Sequence, residues 1–377
     1  MIDTGLWGKC HIQGIAVDEI KGFIYYSFTT KLVKARLSDG EIIGSVDGLL
    51  GHMGCIDFDP ETGYVFGSLE YKHDIIGEGV LRAIGADLKP GAGTTAHLAY
   101  ENAFYLAVFD VDKIDRPGMH AEQDGVMRAA YLSEVVEDYI GSGIDRNGNT
   151  APHRYGCSGI DGTAVGPYRS LFVAYGIYDD PKRDDNDHQI ILEYDLPSVI
   201  ASARPLSQAN LHHSGPEMIR KYFIYTGNTE WGIQNLEFDP VRKVFWAAVY
   251  PGHKPAFPNY SLFAIDAVAR PFYGPLKGLS ESGWQLPLAN LGEKDPKTGI
   301  RGFFFPHGST GLYVAGVNLP PLRWWIPRNV STNRFSDSPD SKGSGMILIS
   351  EHYSRDEEQG SCIYPYQYDE KTPFVRI

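Results

Sequence analysis

One hydrophobic pattern recurs along the chain. An apolar segment broken by a glycine or a polar residue is followed by a tight turn and then a solid apolar run. The segments are residues 11–17, 52–58, 159–165, 232–238 and 299–305. The runs after them are 23–26, 64–67, 171–174, 244–247 and 312–315, all rich in β-branched or aromatic residues. Short runs of this composition predict buried β-strands. The turns between them, such as Asp59-Pro60-Glu61-Thr62-Gly63 and Asp239-Pro240-Val241-Arg242-Lys243, are built from turn-forming residues. Each pair therefore reads as a hairpin. The fifth turn, 306–311, is one residue longer.

Third strands are predicted at 32–37, 104–111, 190–196, 262–268 and 346–350. Fourth strands are predicted at 42–46, 222–226, 284–288 and 363–368. In the second unit, 126–132 reads either as that fourth strand or as part of a helix running on to Ile140. Four strands per unit and five tandem units predict small sheets closed in a ring. This arrangement resembles a five-bladed β-propeller: all-β, with four-stranded antiparallel blades around a central channel. The resemblance covers nearly the whole chain and is to the architecture. The WD, kelch and NHL signatures are absent. The reading is a single domain, with blades near 11–50, 51–150, 158–227, 231–290 and 299–377.

Composition narrows the partners. The 377 residues carry a net charge of -13. That disfavours nucleic acid and anionic membranes, which need a basic surface. No run approaches the ~20 apolar residues of a membrane span. The first residues lack a basic region followed by an apolar stretch, so a cytoplasmic location is expected. Four cysteines are too few for a disulfide scaffold.

What the resemblance implies for the site is a channel lined by the first strand of each blade. Long connections at 70–102, 115–158, 178–188, 251–259 and 318–345 are all expected on one common face, where binding usually evolves. Aligned in register, the third pattern position holds Gln13, Gly54, Asp161, Gln234 and Arg301, and the first holds His11 and His52. Such a polar ring, if buried, needs a ligand, an ion, water or mutual bonding.

Several chemistries compete for it. His11, His52, Gln13 and Gln234 are candidate ligands of a divalent metal, a set that resembles the His-plus-Gln sites of propeller lyases cleaving uronic-acid sugars. By that resemblance the metal neutralises a substrate carboxylate, and a His or Tyr removes the α-proton. Arg301 is the candidate anion clamp. Five-bladed propellers also include glycosidases with paired carboxylates, a role open to Asp161 with Glu230 or Asp57. Asp57 and Glu237 alternate with apolar residues and alternatively face a neighbouring blade. Cys10, Cys55 and Cys157 lie at one level, as thiolate ligands or as small buried residues. Trp324 and Trp325 suit a sugar-stacking platform or a loop staple. Residues 145–149 read as an Asx turn rather than a calcium loop, and 179–188 as a solvated tip. His212, His213 and His253 are expected at the surface.

The sequence thus points to a small polar, saccharide-like or oligosaccharide ligand at the channel mouth, with His11, His52 and Asp161 as catalytic candidates. Gln13, Gln234, Arg301, Glu230, Trp324 and Trp325 are the binding candidates. Metal-assisted lysis or hydrolysis of a glycoside is the expected chemistry, and a non-catalytic binding scaffold is the alternative.

Overall fold

The computed structural model describes residues 1–85, 101–145, 148–316, 345–370 and 372–377. Strands Ile12–Asp18, His52–Asp59, Cys157–Val165, Glu230–Asp239 and Leu312–Val314 each begin one sheet. Each lies beside the next, and Leu312–Val314 returns to the side of Ile12–Asp18. The chain is a five-bladed β-propeller.

The blades pack through alternation. In a strand, successive side chains point to opposite faces. Tyr25 therefore joins the cluster shared with blade two, while Ile24 and Tyr26 join the cluster shared with blade five. Val65 and Phe66 divide in the same way between the gaps on either side of blade two. Apolar clusters fill all five gaps between blades. This is why the predicted runs are apolar on both faces: both faces of these inner strands are buried.

The first three blades follow the predicted order, and blade four does so through its third strand. In blade two, Met127–Tyr131 pairs with Ala103–Asp110 as the fourth strand, and Ser133–Ile140 is a helix. Both sequence readings of that stretch hold, each for its own half. Blade four departs from expectation at its edge. Ser282–Gln285 pairs in parallel with Met218–Tyr225 of blade three, and only Leu288 bridges back to Ile265.

Blade five is framed differently from the prediction. Segment 299–305 is not an inner strand. Arg301–Gly302 pairs with Glu293–Lys294, and Phe303 bridges Leu262 at the outer side of blade four. Leu312–Val314, predicted as a second strand, is the innermost one. Met346–Arg355 is second and Glu358–Tyr368 third. The N-terminal strand Ile2–Leu6 supplies the outer position, pairing Ile2 with Ile363 and Leu6 with Gly360. The "longer turn" at 306–311 is thus a connection between blades.

This frame shift changes the surroundings of Gly316 and Gly345, which follow an inner strand and precede a second strand. The Gly316 N–H donates to Glu19 in the first turn of blade one, and Gly345 lies against Arg242 in the corresponding turn of blade four.

Candidate functional site

A shared backbone irregularity builds the polar ring. In the first four inner strands the register slips at the third pattern position: between Ile12 and Gly14, Met53 and Ile56, Ile160 and Thr163, and Ile233 and Asn235. A β-bulge re-aims the extra residue out of the ladder. Gln13, Asp161 and Gln234 are the residues so re-aimed. Gly54 holds the equivalent place in blade two because a Cβ there would lie 3.0 Å from the Asp161 Cα and 2.5 Å from Ser68 Oγ. The strands meet too closely at the axis for a side chain.

The side chains converge in two connected groups. Gln13 Nε2 lies 3.2 Å from Nε2 of both His11 and His52, and it donates to Thr29 Oγ1 at 3.1 Å. On the other ring nitrogen, His52 Nδ1 is 3.3 Å from Glu70 Oε1 and 3.6 Å from Asp161 Oδ1. Gln234 Nε2 donates to Asp161 Oδ2 at 3.1 Å and to the Trp231 carbonyl at 2.9 Å. Trp231 itself sits at φ +60°, a left-handed conformation that costs a non-glycine residue of order 1–3 kcal/mol.

Glu70 and Lys72 complete the centre. Lys72 Nζ is 2.6 Å from Glu70 Oε1 and donates to the Ser158 carbonyl at 2.6 Å. The Ile160 N–H donates to Glu70 Oε2 at 3.0 Å. Sequence reasoning missed both residues. Their signal was present, since opposite charges two apart share one face at the end of an apolar strand.

The charges sort by environment. Burial favours the neutral form of every group here, and neighbours decide the outcome. For Glu70, burial pushes the carboxyl up, but Lys72 and His52 together pull it below the usual range. For His52, burial pushes the imidazole down, but Glu70 and Asp161 outweigh it and raise it. Asp161 is pushed up to about 7 by burial, with the Glu70 charge adding to it and His52 opposing. His11 is lowered to about 4 by burial and by the charges of His52 and His352. The neighbours thus favour the charged forms of Glu70 and His52, while burial favours the neutral form of His11. A proton on Asp161 is exchanged near neutrality. His52 and Asp161 retain 12% and 13% side-chain exposure, against 1% for Glu70, so those two can meet a ligand and Glu70 cannot.

A cavity of about 260 Å³ is lined by Tyr250, Pro251, Phe304, His307 and Ser309 among others. The Ser309 carbonyl accepts from Asn235 Nδ2, which also donates to the Gln13 carbonyl. Tyr250 pairs in register with Glu230. Its phenol is raised by burial and by the charges of Asp161 and Glu230. Glu230 and Asp161 are thus brought to the same end of the channel.

The remaining candidates fall elsewhere. Arg301 is on the outer side of blade four, where its Nη1 donates to the Gly292 carbonyl. Trp324, Trp325, Arg146 and Asn147 lie outside the described residues. Asp145 accepts from the backbone and side chain of Asn149, as an Asx turn does. Cys10 is partly buried, while Cys55 and Cys157 are buried, and the thiols of these two donate to backbone carbonyls. Among the described residues, no three His, Cys, Asp or Glu side chains are grouped to hold a metal ion. The run 179–188 is not a solvated tip: Asp185, Asn186, Asp187 and His188 are buried, and Lys254 bonds Asn186 and Asp187. His213 and His253 are exposed, whereas His212 is half-buried against Tyr105.

Asp57 and Glu237 do face neighbouring blades. The Val165 N–H of blade three donates to Asp57, and the Val314 N–H of blade five donates to Glu237. Burial pushes Asp57 up to about 7 and Glu237 well above its usual range. A carboxyl raised in the folded state stabilises fully below its unfolded value and loses that contribution as pH rises through the folded value. Stability is therefore expected to fall between about pH 4 and pH 7, as Asp57 and Asp161 both release protons. Urea midpoints measured across this range check it, and Asp57→Asn should flatten part of the slope. A midpoint that rises over the same interval contradicts the assignment.

No family model and no curated protein matches the chain. Among solved structures it is similar to Kuenenia stuttgartiensis hydrazine synthase, at 11% identity and TM-score 0.34, over 100% of this chain and 67% of that one. A GH43 β-1,3-galactosidase with galactodeoxynojirimycin is similar at 14% identity and TM-score 0.39, covering 100% of this chain and 98% of that one. The Dos1 propeller is similar at 9% identity and TM-score 0.30, over 97% and 70%. These likenesses concern strand arrangement and carry nothing about chemistry. Among the described residues no helix is long and apolar enough to cross a membrane.

Proposed function

We propose that the protein binds a small, hydroxyl-rich, saccharide-like ligand at the channel mouth, where Asp161 and His52 exchange a proton with it. One observation carries this reading. Asp161 Oδ1 is a buried carboxyl oxygen without a hydrogen-bond partner among the described residues, 3.6 Å from His52 Nδ1. Buried polar atoms left in this way cost about 1–3 kcal/mol each, and a ligand hydroxyl reaching Asp161 removes part of that cost. The cavity suits one ring of such a ligand, since apolar walls alternate with Tyr250, His307 and Ser309.

Proton transfer is the chemistry these residues support. Asp161 holds its proton near neutrality, which matches a general acid or base to its working pH. The paired-carboxylate form of glycoside hydrolysis gains little support, because Glu70 is engaged by Lys72 and the Ile160 N–H. Cleavage of a glycoside by elimination or hydrolysis with Asp161 as the accessible acid is the reaction to seek. Metal assistance through His11, His52, Gln13 and Gln234 would require Gln234 to leave Asp161, and the purified protein's metal content tests it directly.

The test is a panel of neutral and uronic-acid saccharides, read by thermal shift and by titration calorimetry. At least one should bind, and Asp161→Asn should weaken it at least tenfold while leaving the fold intact. Absence of any shift across the panel sinks the proposal. A second reading, a non-catalytic scaffold, draws on the way Lys72 and Glu70 tie blade two to Ser158 and Ile160 of blade three. It predicts that Asp161→Asn changes stability alone.

A further inference from the structure

A second feature lies far from the axis, at the outer edge where blade three is extended. Strands Phe272–Pro275 and Ser282–Gln285 form a hairpin that joins the blade-three sheet through Met218–Tyr225. An open groove of about 530 Å³ there is lined by Arg220, Arg270, Pro271, Phe272, Tyr273 and Trp284. Phe272 and Tyr273 are 53% and 62% exposed and Trp284 is 36% exposed, an unusual concentration of aromatic surface. Tyr273 and Trp284 pair directly across the hairpin with ring centroids 5.5 Å apart. The Arg220 guanidinium stacks on Trp284 at 4.3 Å and holds the ring in place.

The charge of this groove runs against that of the molecule. The chain carries -13 overall, yet the groove's two charged side chains are both arginines. Among the described residues neither Arg220 nor Arg270 forms an ion pair, and the nearest strand partner of Arg220, Glu193, is taken by Ser170 and Tyr222. Two uncompensated guanidinium groups beside exposed rings call for a ligand that offers both carboxylates and flat apolar faces.

The backbone argues against an added peptide strand. The edge strand is only four residues long and ends in Pro275, which has no N–H to donate. The Gln285 side chain already donates to the carbonyls of Gly274 and Pro275. Recognition is left to side chains. Aromatic rings take the C–H faces of sugar rings, and a guanidinium takes a carboxylate in bidentate fashion. We propose that this groove is a surface site for an acidic polysaccharide built of uronic-acid units, separate from the channel mouth.

The experiment is affinity electrophoresis and calorimetry of the full chain with polygalacturonate, a neutral glucan and poly-L-glutamate. Polygalacturonate should retard the protein, while the neutral glucan and poly-L-glutamate each bind at least tenfold more weakly. Trp284→Ala and Arg270→Gln should each reduce polygalacturonate binding at least tenfold, and Trp284→Phe should restore most of it. In the Asp161→Asn background Trp284→Ala and Arg270→Gln should still each lower polygalacturonate binding at least tenfold, which keeps this site distinct from the one at the axis. Melting curves of the variants check folding, and Arg270, which is exposed, is the variant least able to disturb it. Equal binding of poly-L-glutamate would reduce the site to charge alone and overturn the proposal. So would unaltered binding in both Trp284→Ala and Arg270→Gln, or no binding of polygalacturonate by the intact protein.

Discussion

Removing residues 1–8 should open the ring. Strand Ile2–Leu6 is the outer strand of the last blade, so the start of the chain clasps its end. Ile2 is buried in the cluster between blades five and one. The Ser361 N–H donates to Thr4 Oγ1, the Trp7 N–H to the Gln359 carbonyl and the Gln359 N–H to the Gly8 carbonyl. Trp7 also packs on Phe28 of blade one. Burial of one large aliphatic side chain contributes about 1.5–3 kcal/mol and each hydrogen bond about 1 kcal/mol. Together with Trp7, the loss is on the order of 5 kcal/mol, comparable to the whole net stability of many proteins. Urea denaturation of the truncated chain should show a large drop in midpoint. A synthetic peptide of residues 1–8 added in trans should restore part of it. An unchanged midpoint would mean that closure does not depend on this strand.

Lys72→Met should be the most damaging single substitution near the axis. Lys72 is buried, and its ammonium is the main partner holding Glu70 ionised. Deleting one member of a buried pair strands the other, at a cost of about 3–5 kcal/mol. Glu70 then keeps only His52 and the Ile160 N–H. The double variant Lys72→Met/Glu70→Gln should recover much of the loss, because no uncompensated charge remains. A double-mutant cycle from denaturation midpoints reads the coupling. If the single and double variants are equally unstable, the pair is not what anchors blades two and three at this point.

The misframed blade five shows where local pattern stops being informative. Segment 299–305 matches the other four in its glycines and apolar residues, and nothing within it differs in kind. Which strand it pairs with depends on what else competes for the position. The N-terminal strand occupies the outer place in blade five, so each later strand there moves one place inward, and 299–305 is displaced to the edge of blade four. Arg301 leaves the axis for that reason alone. Gly316 and Gly345 lie beside turns of blades one and four by the same shift.

The candidate site divides in a similar way. His11, His52, Gln13, Asp161 and Gln234 were legible because register alignment stacks equivalent positions, and the bulge acts on each equivalent position alike. Glu70 and Lys72 come from a second strand, so no alignment of first strands could find them. The same holds for Tyr250 and Ser309, which reach the centre from a strand end and from a connection between blades.

Apolar runs and the spacing of turns were enough to specify most strands and the number of blades, since both act between near neighbours in the chain. The identity of the closing strand, the company of each ionised group and the proton held by Asp161 were settled only by folding. Those depend on distances between segments far apart in sequence, and a Coulomb or desolvation energy has no value until such distances exist.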